Sequence, residues 1–286
     1  MLLLNQQEIS AEQFPNNETK VKDFDENILP DRNVLEFKYF DDSDLIRLMF
    51  VKWRLDELQT PCTLVIRYMP YSRMDRKIPG SLFTLQYVCR FINILQFKEV
   101  VVIEPHSQKT MELLEHAVAV YPVMDWLPDI MTEIGFSDND RIVFPDKGAA
   151  ERYRNYGLKD SCVFEKTRNP ITGRQDICVF EKTRNPITGR IEGMKQKEGT
   201  IPQGAKCIII DDLCSAGGTF LLAGNSLREN GAGEVYLIVS HCEPTVFDGK
   251  LLADDSPIDR IYTSDSMMNR PHRKIKYLPV NIDRYV

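Results

Sequence analysis

The chain has 286 residues, of which 43% are hydrophobic and 27% are charged, and its formal net charge is -6. This length and composition allow a large hydrophobic core and predict a globular protein with two domains of ordinary size. The acidic balance argues against a general nucleic-acid binder, because such proteins carry clustered positive charge. We therefore expect that any phosphate groups are held locally.

Cysteines and the amino-terminal residues indicate the compartment. The seven cysteines include no Cys-x-x-Cys pair, which favours reduced thiols over a disulfide framework. The Met-Leu-Leu-Leu start is too short for a secretion signal and lacks its basic flank, and no apolar run approaches the length needed to span a membrane. We expect a soluble, cytoplasmic protein without a membrane partner.

Buried strands alternate with helices along the chain, which favours an α/β fold with mainly parallel sheets. Two three-layer α/β/α domains are predicted, at residues 1–137 and 138–286, with a Ser-Asp-Asn-Asp hinge at residues 137–140. The predicted strands are residues 63–68, 100–103, 141–144, 162–164, 207–210 and 235–239, and the predicted helices are residues 82–95, 151–158 and 220–227.

A segment of the second half is duplicated. Residues 162–174, CVFEKTRNPITGR, recur without change at residues 178–190. Stacked repeat folds need three or more units, so two copies indicate an inserted duplication. Each Asn-Pro-Ile-Thr-Gly run is typical of a turn, and the pair predicts a long hairpin-like excursion that serves as a lid.

The most informative segment for chemistry follows the predicted strand at residues 207–210. Two carboxylates, Asp211 and Asp212, are followed by a run of small residues and then by a helical pattern. Small residues let main-chain amides close on a phosphate at the positive end of a helix, and paired carboxylates suit the adjacent hydroxyls of a ribose or a magnesium ion. The predicted ribose-phosphate site comprises Asp211, Asp212, Ser215, Ala216, Gly217, Gly218 and Thr219.

Two other nucleotide-binding motifs do not fit this segment. It lacks the Gly-Lys-Ser/Thr of a Walker loop and the Gly-x-Gly-x-x-Gly of a dinucleotide fold. An ordinary glycine-rich strand-to-helix turn would have no packing reason for paired aspartates after four apolar residues. The order of residues resembles the phosphoribosyl pyrophosphate loop of the type I phosphoribosyltransferase superfamily.

Five further segments resemble those of ribose-phosphate pyrophosphokinases in the same chain order. They are residues 14–18 (FPNNE), 71–77 (YSRMDRK), 104–107 (EPHS), 144–148 (FPDKG) and 165–168 (EKTR). The resemblance implies that ATP is bound by Phe14, Asn16, Glu18, Arg73, Met74, Asp75, Arg76, Lys77 and His106. It also implies that Asp146 lies beside the sugar, that His106 and Asp146 are candidate ligands of Mg²⁺, and that Lys166 and Arg168, or their copies Lys182 and Arg184, are catalytic.

The activity implied by this resemblance is a magnesium-dependent transfer of the β,γ-diphosphoryl group of ATP to the anomeric hydroxyl of ribose 5-phosphate, with release of AMP. Catalysis of such transfers depends on positioning and on neutralising phosphate charge, which suits fixed cations together with mobile cations on a lid. The resemblance also implies a homo-oligomer, a dimer or a hexamer, with the ATP site at a subunit interface. The pathway implied is nucleotide biosynthesis.

Departures from the family pattern leave alternatives open. Asn16-Asn17 replaces Asp-Gly and Met74 replaces glutamine, which affects the expected contacts with ATP. Of the duplicated segment, we expect Lys166 and Arg168 on the strand, and Lys182 and Arg184 on the enlarged lid. The remodelled lid also permits a larger acceptor such as ADP-ribose, which would connect the enzyme to NAD metabolism. A phosphoribosyltransferase and a non-catalytic regulatory paralogue are the remaining hypotheses.

Overall fold

The structure, a computed structural model, describes residues 1–26, 29–154, 177–184, 191–198 and 200–286. For residues 154, 177–184 and 191–198 only the main chain is described. By contacts the chain divides into two units, Met1–Val120 with Val280–Val286, and Tyr121–Pro279. The assignment of residues 1–137 and 138–286 to two functional domains stays a prediction.

The first unit contains a six-stranded sheet with the order β2-β1-β5-β6-β7-β8. Strands β5 to β8 are parallel, whereas β1 pairs antiparallel with both β2 and β5. A separate hairpin is formed by β3 (Ala11–Gln13) and β4 (Thr19–Val21). The strands of the sheet are β1 (Leu2–Leu4), β2 (Gln7–Ile9), β5 (Asn33–Phe37), β6 (Cys62–Ile66), β7 (Glu99–Ile103) and β8 (Ala117–Val120).

Amphipathic helices pack against this sheet. They are α1 (Ser43–Glu57), α2 (Thr84–Ile94) and α3 (Gln108–Leu113). Helix α2 buries Leu85, Cys89 and Ile92, which share one helical face and join the core of the unit. The helix predicted at residues 82–95 and the strands predicted at 63–68 and 100–103 are confirmed as α2, β6 and β7.

The second unit contains a seven-stranded sheet with the order β11-β10-β9-β12-β13-β14-β15. Each neighbouring pair is parallel except β10 with β11. The strands are β9 (Arg141–Phe144), β10 (Ile177–Arg184), β11 (Ile191–Glu198), β12 (Lys206–Cys214), β13 (Glu234–Cys242), β14 (Arg260–Thr263) and β15 (Ile275–Tyr277). The helices are α4 (Pro122–Ile134), α5 (Lys147–Arg154) and α6 (Gly218–Glu229). The α/β fold with mainly parallel sheets is therefore confirmed.

The second copy of the duplicated segment is described for residues 178–184. Lys182 and Arg184 are part of β10, which pairs antiparallel with β11. Whether they are carried on a lid stays a prediction. Strand β10 pairs with β9 over three residues, and within the duplicated segment Cys178 and Val179 lie opposite Val143 and Phe144. The first copy, with the strand predicted at residues 162–164, lies outside the described residues.

The predicted hinge is a hydrogen-bonded turn between α4 and β9. The main-chain amide and the hydroxyl of Ser137 donate to Asp140 Oδ2 at 2.7 and 2.9 Å. Asp140 Oδ1 accepts a hydrogen bond of 2.6 Å from the amide of Lys206, at the start of β12. The cluster therefore ties two strands of the second unit together.

Two further expectations concern solubility and thiols. Across the described parts of the chain, no helix combines the length and apolar character required to cross a bilayer. Each cysteine with a described side chain is buried and forms no disulfide: Cys62, Cys89, Cys207, Cys214 and Cys242.

Candidate functional site

The predicted ribose-phosphate residues meet at one edge of the second unit's sheet. Strands β9 and β12 are parallel neighbours, so their carboxyl ends lie at the same edge. Asp146 follows β9, and the segment from Asp211 to Thr219 spans the end of β12 and the start of α6. In open α/β sheets, ligands bind in the crevice outside these strand ends.

The turn in this segment is shorter than expected. Strand β12 continues to Cys214, with Asp211 opposite Val239 and Cys214 opposite Cys242 of β13. Both aspartates therefore belong to the strand, and the turn consists of residues 215–217. The sequence could not indicate this, because extended pairing beyond the apolar run depends on β13.

Close packing holds the turn in place. Gly217 has φ of +83°, and a Cβ atom there would lie 2.7 Å from Leu251 Cδ2. A Cβ atom on Gly249 would overlap the carbonyl oxygen of Ala216. Glycine is therefore required at both positions. At Gly217 the reasons are the left-handed main chain and the close contact with Leu251, and at Gly249 the reason is the close contact with Ala216.

The main-chain amides of this turn point to anion binding. Within the described residues, the amides of residues 215–219 donate no hydrogen bond. The first hydrogen bond from α6 to the turn is donated by the amide of Leu221 to the carbonyl of Gly217. Unpartnered amides at the start of a helix carry a partial positive charge. The turn thus has the donors needed to bind a phosphate group.

An arginine on α5 contacts both aspartates of β12. Arg152 Nη1 lies 3.1 Å from Asp211 Oδ1 and 2.8 Å from Asp212 Oδ1. The three side chains are 11%, 13% and 4% exposed, in the order Arg152, Asp211 and Asp212. The amide of Asp212 also donates to Asp211 Oδ1 at 2.9 Å. The result is a buried group of two carboxylates bridged by one cation.

The pKa of the Asp211 carboxyl is raised to about 7, and burial is the largest cause. The negative charge of Asp212 contributes to this rise, the Arg152 guanidinium opposes it, and Asp146 adds a smaller contribution. Perturbed carboxyl groups are common at functional sites, although structural ion pairs produce them too. Here, Asp211 sits at the boundary between its protonated and ionised forms near neutral pH.

Asp146 has the position of a helix cap. Its Oδ1 accepts a hydrogen bond of 2.9 Å from the amide of Ala149 in the first turn of α5. The side chain is half-buried, and its charge acts on Asp211. Carboxylate oxygens are the ligands that Mg²⁺ prefers, and this ion commonly uses one or two of them together with substrate phosphates and water. Asp146 fits that pattern, whereas no group of three potential metal ligands occurs in the described part of the chain.

Sequence reasoning missed several side chains of this site. Arg152 appeared as one more cation in a helical pattern, and its contacts with Asp211 and Asp212 arise from residues far apart in the chain. Thr245 follows β13, and its Oγ1 lies 3.2 Å from Ser215 Oγ and 3.3 Å from Glu243 Oε2. No local signal in the sequence distinguishes these residues from surface polar groups.

The predicted ATP segments lie in the first unit, and two of them share a sheet edge. Residues 71–77 form a turn after β6, and His106 follows the parallel neighbour β7. Tyr71, with φ of +61°, donates from its hydroxyl to Asp42 Oδ1 at 2.6 Å. Within this turn Arg73, Arg76 and Lys77 are exposed, Met74 and Asp75 are half-buried, and His106 is half-buried as well.

The remaining ATP segment, residues 14–18, is the tip of the β3–β4 hairpin. The amide of Phe14 donates to the carbonyl of Glu18 at 2.9 Å, and the amide of Glu18 donates to Asn16 Oδ1 at 3.2 Å. The Phe14 side chain is 51% exposed. Whether these residues contact ATP stays a prediction.

The duplicated cationic segment is described only for its second copy. The parallel register of β10 with β9 ends where Val179 faces Phe144, and β10 then continues to Lys182 and Arg184 while paired with β11. The main chain at Lys182 therefore lies beyond the carboxyl end of β9, where Asp146 follows. Lys166 and Arg168 lie outside the described residues, so the catalytic assignments stay predictions.

Comparisons with known proteins agree with these motifs. No family model matches the chain. It is 26% identical over 221 residues to a ribose-phosphate pyrophosphokinase of Aeropyrum pernix, covering 75% of this chain and 65% of that protein. It is 30% identical over 188 residues to a ribose-phosphate pyrophosphokinase of Pyrococcus abyssi, covering 62% of this chain and 56% of that protein. The chain thus spans less than two thirds of the length of these relatives.

The fold has a solved counterpart. The crystal structure of phosphoribosylpyrophosphate synthetase from Mycobacterium smegmatis superposes with a TM-score of 0.72 at 19% identity, covering 95% of this chain and 85% of that one. This likeness establishes the fold. The resemblance to ribose-phosphate pyrophosphokinases drawn from the motifs is confirmed by the similarity of the chain to these relatives.

Proposed function

We propose that this protein is a ribose-phosphate diphosphokinase, which transfers the β,γ-diphosphoryl group of ATP to the anomeric hydroxyl of ribose 5-phosphate and releases AMP. The observation that carries the proposal is the arrangement at the end of β12. Open amides at residues 215–219 lie beside the buried carboxylates of Asp211 and Asp212. Homology to ribose-phosphate pyrophosphokinases supports the same conclusion.

The acceptor would bind through two sets of contacts. Amides of the turn, with the hydroxyls of Ser215 and Thr219, would hold the 5-phosphate at the amino terminus of α6. Oxygen atoms of Asp211 and Asp212 would accept hydrogen bonds from the ribose hydroxyls, since a carboxyl group retains acceptor capacity in either protonation state. Binding at two points would fix the anomeric hydroxyl in one direction, which is the main contribution of a protein to phosphoryl transfer.

Cationic side chains would stabilise the migrating diphosphate. Arg73, Arg76 and Lys77 are candidates for the ATP phosphates, and Lys182 and Arg184, or Lys166 and Arg168, for the charge that develops during transfer. Bound Mg²⁺ would neutralise further phosphate charge, and Asp146 and His106 are each a proposed protein ligand of such an ion. Binding of ATP between subunits of a homo-oligomer and a cytoplasmic location belong to the same proposal.

The test is product identification. Purified protein is incubated with ATP, Mg²⁺ and ribose 5-phosphate, and the products are separated by liquid chromatography with mass detection. We expect AMP and a sugar that has gained a diphosphate, in equal amounts. ADP as the sole nucleotide product would reject diphosphoryl transfer. Release of pyrophosphate in a parallel reaction that contains phosphoribosyl pyrophosphate and a base would indicate a phosphoribosyltransferase.

Two variants test whether the activity depends on the proposed sugar site. Asp212→Asn removes a proposed acceptor of the sugar hydroxyls and is expected to abolish most of the product. Arg273→Met changes an exposed cation that pairs with the exposed Asp254, and is expected to retain full activity. Turnover with ADP-ribose but not with ribose 5-phosphate would assign the larger acceptor, and absence of turnover with either would favour a regulatory protein.

A further inference from the structure

Arg152 occupies a defined place beside the proposed sugar site. Helix α5 is fixed on β9 by Tyr153, whose buried ring stacks on Phe144 with a centroid distance of 5.9 Å. The neighbouring Arg152 then reaches β12, where one nitrogen, Nη1, lies within 3.1 Å of both Asp211 Oδ1 and Asp212 Oδ1. The helix that Asp146 caps therefore also delivers a cation to the paired carboxylates.

The cation determines how the two carboxylates can be arranged. Asp211 and Asp212 are adjacent in sequence and buried, so without a cation their charges would repel at short range in a poorly solvated place. Arg152 and the amide of Asp212 both hold Asp211 Oδ1, and Arg152 holds Asp212 Oδ1. Each carboxylate is thereby oriented through the same oxygen, Oδ1.

We propose that Arg152 is a positioning residue for the sugar hydroxyls: by bridging Asp211 and Asp212, it presents both carboxylates together to the adjacent 2- and 3-hydroxyls of a phosphorylated pentose. The inference rests on the proposed function, because it assumes that the acceptor is a ribose phosphate. Arg152 itself contacts the carboxylates, and it acts on the acceptor only through them.

A purely structural ion pair would have a different consequence. Loss of a structural contact would disturb the whole site and weaken the binding of every sugar phosphate by the same factor. Loss of a positioning contact would weaken chiefly the binding of those ligands whose hydroxyls the carboxylates recognise. Ribose 5-phosphate and 2-deoxyribose 5-phosphate differ in the 2-hydroxyl alone, so the ratio of their dissociation constants reports this recognition directly.

The experiment is titration calorimetry of both sugar phosphates, without ATP, on the full chain and on three variants. Arg152→Met removes the charge, Arg152→Lys keeps the charge but loses the fork geometry, and Arg273→Met is the matched control at an exposed arginine. We expect the unaltered protein to prefer ribose 5-phosphate by about tenfold or more, the scale of one hydrogen bond to a charged group. Arg152→Met should bring the ratio close to one, Arg152→Lys should give an intermediate ratio, and Arg273→Met should leave it unchanged.

The outcomes separate this inference from the proposed function. An unchanged ratio in Arg152→Met, or equal weakening of both ligands, would overturn the positioning role even if the unaltered protein forms AMP and a diphosphorylated sugar. Failure of the unaltered protein to bind either sugar phosphate would overturn both. Circular dichroism and thermal unfolding check that each variant is folded; if Arg152→Met does not fold, an unchanged ratio in Arg152→Lys refutes the inference and a reduced ratio supports it.

Discussion

Gly217 and Leu251 are in such close contact that a Cβ atom on the glycine would lie 2.7 Å from the leucine Cδ2. The contact fixes the turn between the paired aspartates and α6 against a segment that follows β13 in the chain. Since φ of Gly217 is also in the left-handed region, a side chain here meets both backbone strain and steric overlap.

This contact predicts that Gly217→Ala destabilises the protein and displaces the turn. We expect a loss of about 1 to 3 kcal/mol in the free energy of unfolding, measured by urea denaturation, from backbone strain combined with overpacking. Binding of ribose 5-phosphate should weaken as well, because the amides of the turn move.

The neighbouring glycine provides the control. A Cβ atom on Gly218 would have no neighbour within 4 Å, and its main chain is helical. Gly218→Ala should therefore leave the free energy of unfolding close to that of the unaltered protein. Equal losses of stability in the two variants would contradict the assigned contact with Leu251.

The raised pKa of Asp211 predicts how stability depends on pH. Burial raises this pKa from 3.8 to about 7, so between about pH 4 and pH 7 the folded protein holds a proton that the unfolded chain has released. Stability should therefore fall as pH rises through this window, by up to about 1.4 kcal/mol per pH unit, and level off above pH 7.

Asp211→Asn removes that titration. The free energy of unfolding of the variant, minus that of the unaltered protein, should be larger at pH 8 than at pH 5, as measured by urea unfolding. If the free energies of unfolding of the two proteins change in parallel between these pH values, Asp211 does not carry the expected proton. Asp254→Asn, at a position where the carboxyl side chain is 92% exposed, serves as the control.

Two buried thiols should be unreactive in the folded protein. Burial raises the pKa of both Cys62 and Cys89 to about 12, so their thiolate fraction at pH 8 is on the order of one in ten thousand. Iodoacetamide should label them only after denaturation, as seen by peptide mass spectrometry with and without urea. Rapid labelling of either cysteine in the native state would refute their burial.

The position of β10 predicts which copy of the duplicated segment acts in catalysis. The main chain at Lys182 lies past the carboxyl end of β9. Lys182→Ala should therefore lower kcat by about a hundredfold or more, the scale of losing one transition-state contact. Lys166→Ala should lower kcat less. The KM for ATP should change much less. A larger effect of Lys166→Ala in the same steady-state assay would assign the first copy instead.

The elements whose patterns are local were predictable from the sequence. Helical spacing identified α2, and apolar runs identified β6, β7 and the start of β12. These features depend on residues close together in the chain, where periodicity acts directly.

The sequence by itself therefore determined the kind of site, an anion-binding turn with two carboxylates, and the family to which the chain is related. Only the tertiary structure decided that both aspartates remain inside β12, that Arg152 bridges them from α5, and that Lys182 and Arg184 lie on β10. Arg152 and Asp211 are 59 residues apart. Contacts over such separations depend on how strands and helices pack, and no local pattern of residue types records them.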